Sequence, residues 1–254
     1  MERAAGAARI GNQILGFFAA ILILLLLMYG GYSLYDTYMT YQGARLGSDI
    51  LRYKPTATED NSPTFAELRN INKDVEAWLT IDGTHIDYPV LQGEDDMEYV
   101  NKDVYGKFSL SGAIFLSAGN KPDFSDSYNL VYGHHMEHGE MFGDVMEFLD
   151  QDYFDGHATG MLVTPEKNLH ISIYAVVEAD AYCPMVYHLD QINGDMDAFQ
   201  QYIRENATHY RDIGITGADR VIALSTCVDA QTNGRAIVFG RLEETEQSVE
   251  GTQT

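Results

Sequence analysis

The polarity of the chain changes character three times along its length. Residues 14–34, "ILGFFAAILILLLLMYGGYSL", carry no charge. As a helix rising 1.5 Å per residue, such a run is about 30 Å long, the thickness of a bilayer's hydrocarbon core. It is longer than the apolar region of a cleaved secretory signal, and Tyr29, Tyr32 and Tyr35 at its far end suit a membrane–water interface. We expect an uncleaved anchor over 14–34, preceded by a short segment, 1–13. Arg3 and Arg9 come before the run, while Arg45, Arg52 and Lys54 follow at greater distance. The positive-inside rule then favours a cytoplasmic N-terminus, with the remainder outside the cell. Residues 35–62, which include "YKPTATEDNSPT", are polar and read as a spacer from the membrane.

A domain is expected over 63–243. In "PTFAELRNINKDVEAWLTI", Phe65, Leu68, Ile71, Val75 and Leu79 fall at helical spacing behind Pro63 and Thr64, which predicts one or two helices. The pattern then shortens to "THIDYPVL", "SGAIFLS", "YNLVYG", "GMLVTP", "LHISIYAVVEA", "DRVIALST" and "RAIVFGRL", separated by Gly, Asn, Asp and Pro. Many short strands at modest spacing indicate a mainly β domain, a barrel or a sandwich. One stretch interrupts them. "MDAFQQYIRENATHY" sets Phe199, Tyr202 and Ile203 on one helical face, inside an insertion between Glu178 and Arg220. The last residues, 244–254, are polar and acidic and read as a disordered tail.

Composition narrows the function. A chain that is 45% hydrophobic and 21% charged can bury a core. Its formal net charge of −22 argues against nucleic-acid partners, which need a basic face. Two cysteines, Cys183 and Cys227, are too few for a disulfide scaffold, although one bridge between them stays open.

The candidate chemistry lies at strand ends. His134, His135 and His138 follow "YNLVYG" in "YGHHMEHGEMFG", where side chains leave a rigid strand for a loop. Cys227 closes one apolar strand and Arg235 opens the next. A thiol and an imidazole that meet across strand ends can perform nucleophilic catalysis. A guanidinium, always charged and with five donors, favours a thiolate and can hold an oxyanion. Plainer roles compete. Cys227 suits a small buried strand residue. The three histidines have a spacing that zinc tolerates, but no carboxylate or cysteine completes a recognised motif. Arg235 suits an ordinary strand surface, with Arg241 six positions on as the comparison.

"LVYGHHM", "LSTC" and "RAIVFGRL", in that order behind an N-terminal anchor, resemble the histidine, cysteine and arginine motifs of the sortases. "INKDVEAWLTIDGTHIDYPVLQG", "GAIFLSAGN", "GEMFGDV" and the helix-bearing insertion resemble class B, and the likeness covers residues 65–242. The resemblance implies an eight-stranded sortase β-barrel with N-terminal helices, preceded by one transmembrane helix, and a cysteine transpeptidase activity. By the same resemblance Cys227 is the nucleophile, His134 the acid and base, and Arg235 the substrate-orienting, oxyanion-stabilising group. Tyr132, Ser225 and Thr226 match the substrate groove. His135 stands where the class often has asparagine, Asp95-Asp96 where the family often has Asp-Asn, and Asp229 reads as a loop residue rather than a third triad member. The implied substrates are surface proteins or pilins cleaved after threonine in a C-terminal sorting signal. The implied acceptor is a peptidoglycan-precursor amine or a pilin lysine. No metal or organic cofactor is expected. A hydrolytic cysteine peptidase and a catalytically silent binding module are the competing readings.

Overall fold

The structure, a computed structural model, describes residues 2–56, 60–227 and 233–245, with Cys227 described by its backbone. Asp229 and most of the acidic tail lie outside the described residues. The chain divides into two compact units, Met1–Gln42 and Gly43–Thr254. The first is nearly all helix α1 (Glu2–Ala44), which is long and apolar enough to cross a membrane and leaves its large apolar side chains exposed. Such a helix is consistent with a single-pass anchor.

Part of the stretch read as a spacer is folded. The short α2 (Ser48–Leu51) seats Ile50, 1% exposed, against Phe65 and Leu68 of α3 (Ser62–Ile71). Burying each of these side chains is worth about 1.5–3 kcal/mol. The expected second helical stretch is instead a strand, β1 (Val75–Ile81), so Val75 and Leu79 belong to the sheet. Eight further strands follow: β2 (Asp87–Leu91), β3 (Phe115–Leu116), β4 (Tyr128–Tyr132), β5 (Thr159–Val163), β6 (Asn168–Asp180), β7 (Ala207–Tyr210), β8 (Arg220–Cys227) and β9 (Gly234–Glu244). Between β4 and β5 lies α4 (Gln151–Gly156). Between β6 and β7 lie α5 (Pro184–Tyr187), α6 (Leu189–Gly194) and α7 (Met196–Asn206). The helix read through Tyr210 ends at Asn206, because Ala207–Tyr210 pairs with Ala175–Val177 of β6.

The sheet order is β5-β1-β2-β3-β4-β8-β9-β6-β7, and a β5–β6 pairing closes eight strands into a barrel with β7 outside the ring. Among the alternatives of barrel and sandwich, the chain forms the barrel. The long strand β6 makes closure feasible. One of its edges pairs with β9 throughout, and the other pairs with β5 over Asn168–Ser172 and with β7 over Ala175–Val177.

Strand alternation gives the wall two faces. On the outer face Tyr128 and Leu130 of β4, Ala223 of β8 and Ile237 of β9 pack against Val186, Ile192, Phe199 and Ile203 of the inserted helices. A second outer cluster joins Phe65, Leu68, Trp78, Leu91 and Phe115. Tyr132, half-buried, packs against both clusters.

Candidate active site

The ladder registers bring the motif residues to one rim. In the parallel β4–β8 pair Tyr132 stands opposite Ser225, and the Gly133 N–H donates to the Ser225 carbonyl at 3.2 Å. His134 follows two residues past the end of β4, as Cys227 follows two residues past Ser225 at the end of β8. In the antiparallel β8–β9 pair Cys227 stands opposite Arg235. Cys227 and Arg235 are thus paired neighbours, and His134 leaves β4, the strand on the other side of β8.

Beside these strand ends opens a cleft of about 320 Å³, lined by Tyr132, His134, Ser225, Thr226 and Arg235, with Asp96, Met97, Phe115 and Tyr187 among its other walls. It lies where Tyr132 joins the two outer clusters. Arg235 is half-buried, and among the described residues its guanidinium forms no hydrogen bond or ion pair. Arg241 differs. It donates to the Ile213 carbonyl at 3.2 Å and pairs with Glu243 at 3.1 Å.

His134 is held by its surroundings. Its Nε2 lies 2.8 Å from the Val100 carbonyl, a contact that requires the proton on Nε2 and leaves Nδ1 for exchange. Gly112, at φ +60°, lets that ring approach: a Cβ there would fall 2.9 Å from His134 Cδ2 and 2.6 Å from the Val100 oxygen. On the other side Gly133 packs between Ile114 and Phe142 with no room for a side chain. The loop after His134 folds back, and the Phe142 N–H donates to the His134 carbonyl at 3.0 Å. His138 and Met141 adopt left-handed conformations in this loop, at φ 63° and 54°. β2 and the turn before it brace it: the Tyr88 hydroxyl accepts from the Met141 N–H at 2.9 Å, and Asp144 accepts from the His85 N–H at 2.6 Å.

The histidine cluster disperses. His134 faces the cleft, whereas His135 and His138 are exposed. Among the described residues no three His, Cys, Asp or Glu side chains are grouped for a metal. Cys183 is a free thiol, and its Sγ lies 3.3 Å from the Tyr202 hydroxyl.

Of the residues read as groove positions, Tyr132, Ser225 and Thr226 all line the cleft. Thr226 Oγ1 is buried without a hydrogen-bond partner among the described residues. Ser225 Oγ lies 2.9 Å from the hydroxyl of Tyr187, which stacks on Tyr132 with ring centroids 6.4 Å apart. Burial pushes the Tyr187 phenol up to about 12, against the opposing pull of Ser225 and Arg235. Burial, reinforced by the Asp96 carboxylate, also raises Tyr132. Both phenols are therefore neutral donors at physiological pH. Sequence reasoning missed Tyr187, whose only local mark is Pro184 opening its helix. Asp96 accepts from the Ala118 N–H at 2.6 Å, which fixes a carboxylate in the cleft wall.

Comparison with known proteins agrees with this architecture. A family model for the sortase domain matches residues 79–243. Sortase B of Listeria monocytogenes is 31% identical over 179 residues, covering 69% of this chain and 72% of that protein. Among solved structures, a Streptococcus pyogenes class B sortase involved in pilus biogenesis is 42% identical at a TM-score of 0.64, covering 70% of this chain and 97% of that one. Sortase B from the type II pilus of Streptococcus pneumoniae is 37% identical at 0.60, covering 71% and 99%. With its closed eight-stranded barrel and helix-bearing insertion, the chain belongs to the sortase family, in class B, and is a cysteine transpeptidase.

Proposed function

We propose that Cys227, His134 and Arg235 perform the acyl transfer, on a C-terminal sorting signal cleaved after threonine. The observation that carries this reading is Cys227 paired opposite Arg235 beside a cleft that both His134 and Arg235 line. The Cys227 thiolate attacks the threonyl carbonyl. The resulting oxyanion is held by Arg235, and collapse breaks the C–N bond as His134 protonates the departing amine. A thioester remains. An acceptor amine then attacks it, gives its proton to His134 and releases the thiolate. The Val100 carbonyl, bonded to Nε2, stabilises the imidazolium in both halves. Tyr132, Ser225 and Thr226 line the path of the bound peptide.

For the acceptor, a pilin lysine is favoured over a peptidoglycan amine by two observations. The relatives at 42% and 37% identity are described by their pilus roles. An open groove sharing Asp96 and Tyr187 with the cleft is lined by Glu94, Asp95 and Asp190, which suits an approaching ammonium group. We further propose that α1 anchors the enzyme in the cell membrane, N-terminus inside, with the barrel outside.

The test is incubation of the full chain with sorting-signal peptides and an added amine, read by mass. Cleavage after threonine with capture as the amide supports the reading. Free acid regardless of amine marks a hydrolase, and turnover by a folded Cys227→Ala protein removes the nucleophile assignment. Offering pilin-derived lysine peptides against peptidoglycan-stem amines separates the two acceptors.

A further inference from the structure

A chain of net charge −22 has few cations to place, yet five of its 16 lysines and arginines lie in two short segments. Arg45, Arg52 and Lys54 follow α1, and Lys102 and Lys107 lie in the loop 101–112. The segments touch. The Tyr105 hydroxyl donates to Asp49 of α2 at 2.8 Å, and a Cβ on Gly43 would collide with the Ser109 hydroxyl.

The loop is firmly built. Asp103 Oδ1 accepts from the Tyr105 and Lys107 N–H groups at 2.9 Å each, the Asp103 N–H donates to the Lys107 carbonyl at 2.8 Å, and the Ser109 N–H donates to the Asn101 carbonyl at 3.0 Å. Even so it presents Phe108, 78% exposed, and Leu110, 51% exposed, with Leu51, 45% exposed, on the neighbouring α2. Apolar side chains held in water by an ordered loop mark a surface that meets something apolar.

The charges say what that is. Arg45, Lys54 and Lys102 are paired with Glu140, Asp87 and Glu98. Lys107 and Arg52 form no ion pair among the described residues and sit over the rings of Tyr105 and Tyr53, although Arg52 lies near enough to Asp49 to help hold its carboxyl low. Exposed aromatic and aliphatic groups beside cations outside any ion pair are the composition of a lipid-facing surface. Connectivity brings such a surface within reach. Gly43 follows Tyr35 by eight residues of α1, which span no more than about 12 Å. The headgroup layer itself is about 5–8 Å deep on each side.

We propose that Phe108, Leu110 and Lys107, with Leu51 and Arg52 of the adjoining segment, rest on the anionic phospholipid surface that holds the anchor. The inference rests on the reading of α1 as a membrane span. It is tested on the full chain reconstituted in vesicles of phosphatidylcholine and phosphatidylglycerol with brominated acyl chains. The chain's one tryptophan, Trp78, is 1% exposed and gives a constant background. Added singly, Leu22→Trp reports the span, Phe108→Trp the loop, and Tyr182→Trp an exposed site on the helical insertion. Expected are strong quenching at 22 and quenching at 108 several-fold above that at 182, reduced when Arg52→Glu and Lys107→Glu are combined. Quenching at 22 but none at 108 above the level of 182 overturns the docking and leaves the anchor standing. Absence of quenching at 22 overturns both. Undiminished quenching at 108 in phosphatidylcholine alone overturns the choice of an anionic surface.

Discussion

Gly133→Ala tests whether packing around the histidine sets its position. The added methyl would lie 2.5 Å from Ile114 Cδ1 and 2.6 Å from Phe142 Cδ2. The tip of Ile114 can rotate aside, but the Phe142 ring is fully buried and moves only with its neighbours. To reach ordinary contact at 3.4 Å the ring must retreat by about 0.8 Å (3.4 − 2.6). The Phe142 N–H is bonded to the His134 carbonyl, so the shift passes to the backbone that carries the imidazole. Overpacking of this kind costs about 1–3 kcal/mol, and misplacing a reacting group by about 1 Å can cost roughly a hundredfold in rate. Urea unfolding should show that loss of stability, and turnover of a fluorogenic sorting-signal peptide should fall roughly ten- to a hundredfold at conditions where the protein is folded. Gly156→Ala is the control. A Cβ there meets nothing within 4 Å, so both readings should stay unchanged or gain about 0.4–1 kcal/mol of stability. A Gly133→Ala enzyme with native stability and native turnover would refute the reasoning.

Three further outcomes are expected. His134→Ala should lower turnover by roughly a hundred- to ten-thousandfold, while His135→Ala and His138→Ala, both exposed, should each cost about tenfold or less; equal severe losses, with inhibition by a chelator, would point to a metal instead. Tyr187→Phe keeps the stacking on Tyr132 but leaves the buried Ser225 hydroxyl without its partner, so stability should drop by about 1–3 kcal/mol and the kinetic loss should fall mainly on KM; an unchanged KM with a collapsed kcat would contradict a role in the groove wall. Cys183→Ser should retain most activity, and thiol titration of the denatured, unreduced wild type should count two free thiols; one pair missing would reveal a bridge to Cys227.

The strands of the barrel's far half were legible in the sequence because their apolar runs are bounded by turn residues. β1 was not. Its burial is nearly continuous on both faces, since α3 covers one side and the barrel interior the other. Val75 and Leu79 then fall four apart without alternation and imitate a helix continuing from Ile71. β7 was hidden for another reason. Its four residues are half-buried at best and owe their extended form to β6 rather than to their own pattern. Cys227, His134 and Arg235 carried motif signals, and the meeting of Cys227 with Arg235 could be reasoned from their strand ends. Tyr187 could not, because its meeting with Tyr132 and Ser225 joins segments 55 and 38 residues apart. The hold of Val100 on His134 likewise spans 34 residues and uses a backbone carbonyl, which leaves no mark in side-chain identity.

The two lengths of β6 separate what must stay constant from what can diverge. Asn168–Ser172 shuts the ring through β5, while Ala175–Val177 and the residues beyond carry β7 and the inserted helices. The wall that supplies Tyr187 therefore hangs from a part of the strand that the seam with β5 does not use, though its other edge still pairs with β9. Residues 181–210 form a cassette, and since Ala179 stands opposite Arg235, a designer who grafts them must keep β6 intact to Asp180 for the ring to hold cysteine and arginine in register.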